Sequence, residues 1–384
     1  MVGNESCVIM LKKIVKMIGI IIGSAVITLL VVGILFVNLS PEFGGKPTEA
    51  DKTRYSKSKN FKDGKFENLN KANMDMSFKQ TVTTMIDFIK GTPNARPSFN
   101  LPVEKVDSLN WEQNDSTNRL VWFGHSSFLL KLDGKNILLD PMLGEVPAPH
   151  PWLGGKRYSK ELPIEIQKLP KIDVVLISHD HYDHLDYGSI QLLKDKVNQF
   201  MVPMGVGAHL KEWGIANHQI QEFDWWQETT YEHIGIAFAP SRHFSGRGLT
   251  DRFSTLWGSW VIKGRNKNLY FSGDSGYGKH FKTIGEKFGP FDFAMMECGQ
   301  YNEKWADIHM MPEETVQAAI DVKSKITMPI HWGAFTLSLH TWTDPVERFT
   351  LKSNELNVEH LIPIIGEEID LMTLTSEHMN WWKK

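Results

Sequence analysis

Cysteine is nearly absent from this chain: two in 384 residues, Cys7 and Cys298. Two thiols cannot make a disulfide framework. Cys7 precedes a membrane-length apolar run and Cys298 lies in a core-like stretch, so no bridge between them is expected. A basic excess is also missing. Lys and Arg number 42 against 45 Asp and Glu, a formal net charge of -3, and without basic tracts there is no electrostatic case for nucleic-acid binding. No internal repeat is present. What remains, 41% hydrophobic and 23% charged, is a globular composition, long enough for one large domain with appendages or for two ordinary ones.

One long hydrophobic run stands out. Met17 to Val37 carries no charge across 21 residues, enough to cross a bilayer as a helix. Lys12, Lys13 and Lys16 precede it, and Phe36-Val37-Asn38-Leu39-Ser40 makes a poor cleavage site. The expectation is an uncleaved anchor (17–37) with a short cytoplasmic tail (1–16) and the body on the extracytoplasmic side. Gly19-x-x-x-Gly23 offers a face on which two such helices could pair, hence a homodimer contact. Residues 38–100 are polar, rich in Lys and Asn, and punctuated by Pro41, Pro47, Pro93 and Pro97, which reads as a linker or arm. The body is assigned to 101–384, where strand-like and helix-like runs alternate.

The chemistry concentrates in Ile177-Ser178-His179-Asp180-His181-Tyr182-Asp183-His184, directly after the apolar run Ile172–Ile177. A strand ending in His-x-His projects both imidazoles to one side, because strand side chains alternate with period two. The following turn can then aim Asp183 and His184 at a second point. Imidazoles mixed with carboxylates favour zinc or a similar first-row metal. Three more strand-like runs end in a ligand-type residue, at His243, Asp274 and His331. Gathered at one edge of a sheet sandwich, His179, His181, Asp183, His184, His243, Asp274 and His331 are enough for two zinc ions if one carboxylate bridges.

The His-x-His-x-Asp-His run with distant His, Asp and His resembles the metallo-β-lactamase superfamily. More narrowly it resembles the branch of N-acylphosphatidylethanolamine-hydrolysing phospholipase D and its bacterial relatives. The residues that carry this narrower match are Trp122 to Ser127, Leu139-Asp140-Pro141, Ser178 to Asp186, Leu256 to Trp260, Phe271 to Tyr277, His309 with Pro312-Glu313-Glu314, and Ile330 to Gly333. The resemblance spans about Asn60 to Leu371. It implies an α/β fold, a four-layer αββα sandwich, with a first zinc on His179, His181 and His243 and a second on Asp183, His184 and His331. Asp274 would bridge them. It further implies that His309 assists the reaction, alongside Asp183 and Asp274, and that His125 stands close to the site without being a metal ligand.

The activity so implied is phosphodiester hydrolysis of phospholipid-like substrates by a di-zinc, membrane-anchored enzyme. The alternative is a metal-dependent lactonase or other ester hydrolase of the same superfamily, whose sugar-phosphate lactonases lack the Trp-Gly-Ser-Trp and Ile-His-Trp-Gly contexts found here. A non-catalytic metal-stabilised module has no need of a bridging carboxylate. His150, His209, His218, His233, His280, His340, His360 and His378 have no ligand context and read as structural or exposed. Trp225-Trp226 and Trp305 read as core packing more readily than as a lipid groove, and Trp381-Trp382-Lys383-Lys384 as a frayed tail.

Overall fold

The computed structural model describes residues 2–113, 117–374 and 380–383. Two units are distinct, one ending at Phe43 and the other running from Gly44 to Lys384. The first is chiefly helix α1 (Val2–Leu39), which continues unbroken through the stretch expected as a tail. Its Cys7–Leu39 portion is long and apolar enough to be a candidate membrane span.

In the second unit the elements follow in order as α2 (Glu49–Tyr55), β1 (Phe61–Lys62), β2 (Lys65–Phe66), α3 (Phe78–Lys90), α4 (Ser108–Gln113), β3 (Arg119–Trp122), β4 (Phe128–Leu132) and β5 (Lys135–Leu139). Then come β6 (Ile172–Leu176), α5 (Tyr187–Leu193), β7 (Val197–Pro203), α6 (Val206–Glu212), β8 (Ile220–Phe223), β9 (Glu228–Tyr231) and β10 (Ile234–Ala239). The chain closes with β11 (Ser259–Lys263), β12 (Asn268–Phe271), α7 (His280–Lys287), β13 (Phe291–Glu297), α8 (Pro312–Asp321), β14 (Ser324–Ile330), α9 (Asp344–Leu356) and β15 (Glu368–Asp370).

One sheet has the order β15-β3-β4-β5-β6-β7-β8 and the other β14-β13-β12-β11-β10-β9. Alternation along the strands sorts side chains to two faces. Leu130, Leu139, Leu176, Phe238, Phe271 and Ile330 meet in a core between the sheets. Val121, Leu138, Val175 and Phe200 point outward onto Trp111 of α4, Ile190 of α5 and Leu210 of α6. On the far side, Val261, Tyr270 and Ala294 receive Phe281 of α7 and Ala318 of α8. Helix, sheet, sheet, helix: the αββα sandwich. Central strands are apolar on both faces because both are covered, which is why β6 is hydrophobic at every position but Asp173.

Two expectations need correction. By its sequence the apolar run Leu120–Leu132 is expected to be one strand ahead of an Asp133-Gly134 hairpin turn; it is two strands, because Gly124 and His125 take φ of +84° and +56° and turn the chain between β3 and β4. Asp133-Gly134 does form the tight hairpin between β4 and β5, with φ of +49° and +80°, as a primed turn requires. The C-terminal tail is not frayed. Trp381 and Trp382 are 9% and 3% exposed, with Trp381 stacked on Trp332 at 5.5 Å and Trp382 edge-on to it at 6.1 Å. Burying two indoles removes a large apolar area from water. Trp382→Ala should therefore cost about 3–5 kcal/mol of stability, measured as a drop in the denaturation midpoint. An unchanged midpoint would return the tail to the surface.

The segment 44–100 is also more than a spacer. Tyr55 and Phe66 are buried with the inter-sheet core, and the Asn68 side chain holds His243 by its backbone, accepting from N at 3.1 Å and donating to O at 2.8 Å.

Candidate metal centre

Strand direction builds the site. β5 to β8 are mutually parallel, as are β12 to β14, and β10 shares the direction of β12 through two antiparallel steps. The carboxyl ends of β5, β6, β10, β12, β13 and β14 therefore reach the same edge. They deliver Asp140, the His179–His184 turn, His243, Asp274, Glu297 and His331. All seven expected ligands are brought together there, with His125 and His309 beside them.

Backbone strain concentrates at the same edge. His125 and His331, neither a glycine, have φ of +56° and +68°. Such conformations cost about 1–3 kcal/mol each and persist only where the surroundings enforce them. Here the two segments clamp each other, His331 N donating to His125 O at 3.0 Å and His125 N to Trp332 O at 2.9 Å. Gly273, at φ +55°, has no room for a side chain: a Cβ would lie 2.6 Å from Gly258 O and 2.7 Å from Ser178 Cβ. Only glycine lets the β12 end bring Asp274 this close to the histidine turn.

The donor atoms form two groups that share Asp274. In one, His181 Nδ1 is 2.9 Å from His179 Nε2 and 3.2 Å from His243 Nε2. Asp274 Oδ2 lies 3.8 Å from both His179 Nε2 and His243 Nε2. In the other, Asp183 Oδ2 is 3.1 Å from His331 Nε2 and 3.5 Å from His184 Nε2, while Asp274 stands 3.2 Å from each of these imidazoles. Tetrahedral zinc with bonds of about 2.0–2.1 Å places neighbouring donors about 3.3–3.4 Å apart. The spacings match that requirement. His184 Nε2 and Asp274 Oδ1 face each other, buried, with no hydrogen-bond partner among the described residues. Orphaned polar atoms in a core are costly, and a cation between donors would satisfy them.

The outer ring nitrogens are engaged, which fixes which nitrogen faces inward. His184 Nδ1 meets Asp140 Oδ2 at 2.7 Å, His243 Nδ1 meets Ile308 O at 2.9 Å, and His179 Nδ1 meets Ser178 Oγ at 2.9 Å. Burial pushes Asp183 and Asp274 up, yet neighbouring imidazoles, His184 foremost, hold both well below the usual carboxylate range. Burial likewise pushes His331 down, but Asp274, then Asp183 and Glu297, outweigh it and raise it to about 10. Asp183 and Asp274 are thus held in the ionised form that a cation needs. His125 is different: burial, then His331, lowers it to about 3. As a neutral imidazole it donates from Nε2 to Asp183 Oδ2 at 2.9 Å, orienting that carboxylate.

Glu297 escaped the sequence reading. Fully buried at the end of β13, it accepts from Met310 N at 3.0 Å and contacts His309 Nδ1 at 3.1 Å. Its signal was there, since β13 too is an apolar run ending in a ligand-type residue. Asp140, noted only within a motif, buttresses His184 and Ser178. Asp140→Asn should weaken divalent-cation binding about 10–100-fold, measured by competition with a chelator; an unchanged affinity would make Asp140 merely structural. Among the histidines without ligand context, His209 pairs with Asp180 and His280 with Ser275, both buried away from the donor groups. His378 lies outside the described residues.

Beside the donors opens a cleft of about 340 Å³, lined by Met74, Met76, Phe244, Trp305 and Ile308, with Arg252 and Lys304 also on its wall. Trp305 is therefore a cleft residue, whereas Trp225 is core. His309, 12% exposed at its side chain, faces this space.

Residues 135–332 match the family model described as a beta-lactamase superfamily domain. An uncharacterized protein of Mycobacterium tuberculosis is 39% identical over 332 residues, covering 85% of this chain and 88% of that one. The N-acyl-phosphatidylethanolamine-hydrolyzing phospholipase D 1 of Caenorhabditis elegans is 32% identical over 249 residues, 62% of this chain and 69% of its own. The fold also matches the crystal structure of isothiocyanate hydrolase from Delia radicum gut bacteria, with a TM-score of 0.53 at 22% identity over 65% of this chain and 98% of that one. Strand-end ligands, sandwich and sequence kinship agree: the chain belongs to the metallo-β-lactamase superfamily, as a metal-dependent hydrolase with relatives among the N-acyl-phosphatidylethanolamine-hydrolysing phospholipases D.

Proposed function

We propose that this protein is a membrane-anchored di-zinc phosphodiesterase that cleaves phospholipid-like substrates. His179, His181 and His243 would hold one ion and Asp183, His184 and His331 the other, with Asp274 shared between them. The observation that carries the reading is the sharing of Asp274 by two donor groups at the side of a cleft that is apolar but carries cationic groups. Bound zinc would supply polarisation of the phosphate oxygens and ionisation of a water for attack on phosphorus.

The chain's own residues do the rest. Arg252 lies over the Phe244 ring at 4.7 Å on the cleft wall and favours an anionic group entering between apolar walls. Met74, Met76, Trp305 and Ile308 exclude water and accept acyl chain. His309, fixed by Glu297 through Nδ1, acts as an imidazolium whose charge Glu297 stabilises; it gives its Nε2 proton to the departing alcohol oxygen as the phosphorus–oxygen bond breaks, and is left as a neutral imidazole. Candidate span Cys7–Leu39 anchors the chain, with the hydrolase body on the extracytoplasmic side.

The test is metal content of the full chain in detergent, followed by turnover on phospholipids, N-acylated phospholipids, lactones and generic phosphodiesters. Two zinc ions per chain and cleavage of an N-acylated phospholipid to phosphatidate are expected. Lactone turnover without phosphodiester cleavage would move the assignment to an ester hydrolase of the same family.

A further inference from the structure

Helix α3 is amphipathic the wrong way round. Its apolar residues Phe78, Val82, Met85, Ile86 and Ile89 recur at the 3.6-residue period and so form one stripe. In a helix packed on a soluble body that stripe would face inward. Here it faces solvent: Phe78 is 86% exposed, Met85 59% and Ile89 82%. The other side of the helix meets the body. Thr84 is buried, Asp87 pairs with Lys304 at 3.2 Å, and Phe88 stacks on Trp305 at 6.3 Å.

We propose that α3 is an interfacial helix that lays this stripe into the lipid surface and sets the cleft mouth against the bilayer. Three observations choose lipid as the occupant. The stripe is continuous with the cleft, since Met74 and Met76 lead directly into α3 and line the cleft with Trp305. Lys79 and Lys90, both exposed, stand at the two ends of the stripe, where cations suit phosphate headgroups. The candidate span ends at Leu39, with 38 residues between it and Phe78, a distance along the chain short enough to bring α3 within reach of the same membrane. The inference rests on the proposed anchoring and extends it: substrate passes from the bilayer over α3 into the cleft without crossing water.

The experiment uses the full chain with Cys7→Ser, one added cysteine carrying an environment-sensitive fluorophore, and vesicles of phosphatidylethanolamine and phosphatidylglycerol doped with spin-labelled lipid. Probes at Phe78→Cys, Met85→Cys and Ile89→Cys should lose at least half their emission, while Thr83→Cys, off the stripe, should lose little. Equal response at Thr83 and Ile89, or no quenching at Ile89, overturns the proposal. So does disulfide-linked dimer through Ile89→Cys with lipid quenching absent, which makes the stripe a contact with a second copy. A Leu29→Cys probe reads the anchor separately: quenched at Leu29 but not at Ile89, anchoring stands and the interfacial helix fails. Quenched at Ile89 but not at Leu29, the helix docks by itself and the anchor fails.

Discussion

Asp274→Ala is expected to lower hydrolysis by about 10³–10⁵-fold, about 4–7 kcal/mol of transition-state stabilisation, and to take bound metal down with it. The reason is geometric. Asp274 Oδ1 lies 3.2 Å from His184 Nε2, and Oδ2 reaches His331 Nε2 at 3.2 Å and both His179 and His243 at 3.8 Å. Both donor groups depend on it. Each other ligand belongs to one group, so His243→Ala should empty one position and leave its neighbour loaded. Metal per chain by mass spectrometry separates the two variants, with circular dichroism showing that the sandwich persists. A fully loaded, active Asp274→Ala protein would falsify the shared-carboxylate centre.

His309→Ala should behave in the opposite way, keeping its metal while losing about 10²–10⁴-fold in turnover, the usual range for a positioned proton donor. His309 lies near both donor groups, within 4.8 Å of His243 and Asp274 atoms in one cluster and of Glu297 and His331 in another. That proximity is why metal content must be measured beside activity. Loss of a cation would make His309 a ligand; added imidazole restoring part of the rate would confirm a proton-transfer role. Glu297→Gln should retain the geometry of His309 but weaken the charge that stabilises its protonated form, giving a smaller loss in rate. Equal losses in both variants would mean that Glu297 acts mainly by positioning.

Much of this architecture was legible in the residues. β6 announces itself as a bilaterally apolar strand, Asp133-Gly134 as a hairpin turn, and Pro312-Glu313-Glu314 as a helix start, because each depends on local backbone preferences. The ligand set was legible for a similar reason: the His179–His184 turn is local, and three more strand-like runs ended in ligand-type residues.

Other features were hidden because they depend on distance in space. Glu297 carries the strand-end signal of the ligands, but that it buttresses His309 is decided only when β13 is packed beside β14 and His309 folds over it. The break at Gly124-His125 was masked by apolar residues on both sides, which read as one strand. Trp381 and Trp382 looked like a tail because their partners, Trp332 and Trp122, lie far away in sequence. The polar composition of 38–100 concealed α3, whose stripe a period count can find but whose orientation it cannot.

What the sequence determined alone is the chemistry: which side chains are present, at strand-end spacings that suit cations, behind a run long enough to span a bilayer. Tertiary structure decided the rest, namely that Asp274 lies between two donor groups, that Glu297 and Asp140 buttress imidazoles, and that α3 turns its apolar face outward. The physical reason is that ligand identity and periodicity are properties of neighbours along the chain. Donor separations and the direction a stripe faces arise only when strands far apart in sequence are packed into parallel register.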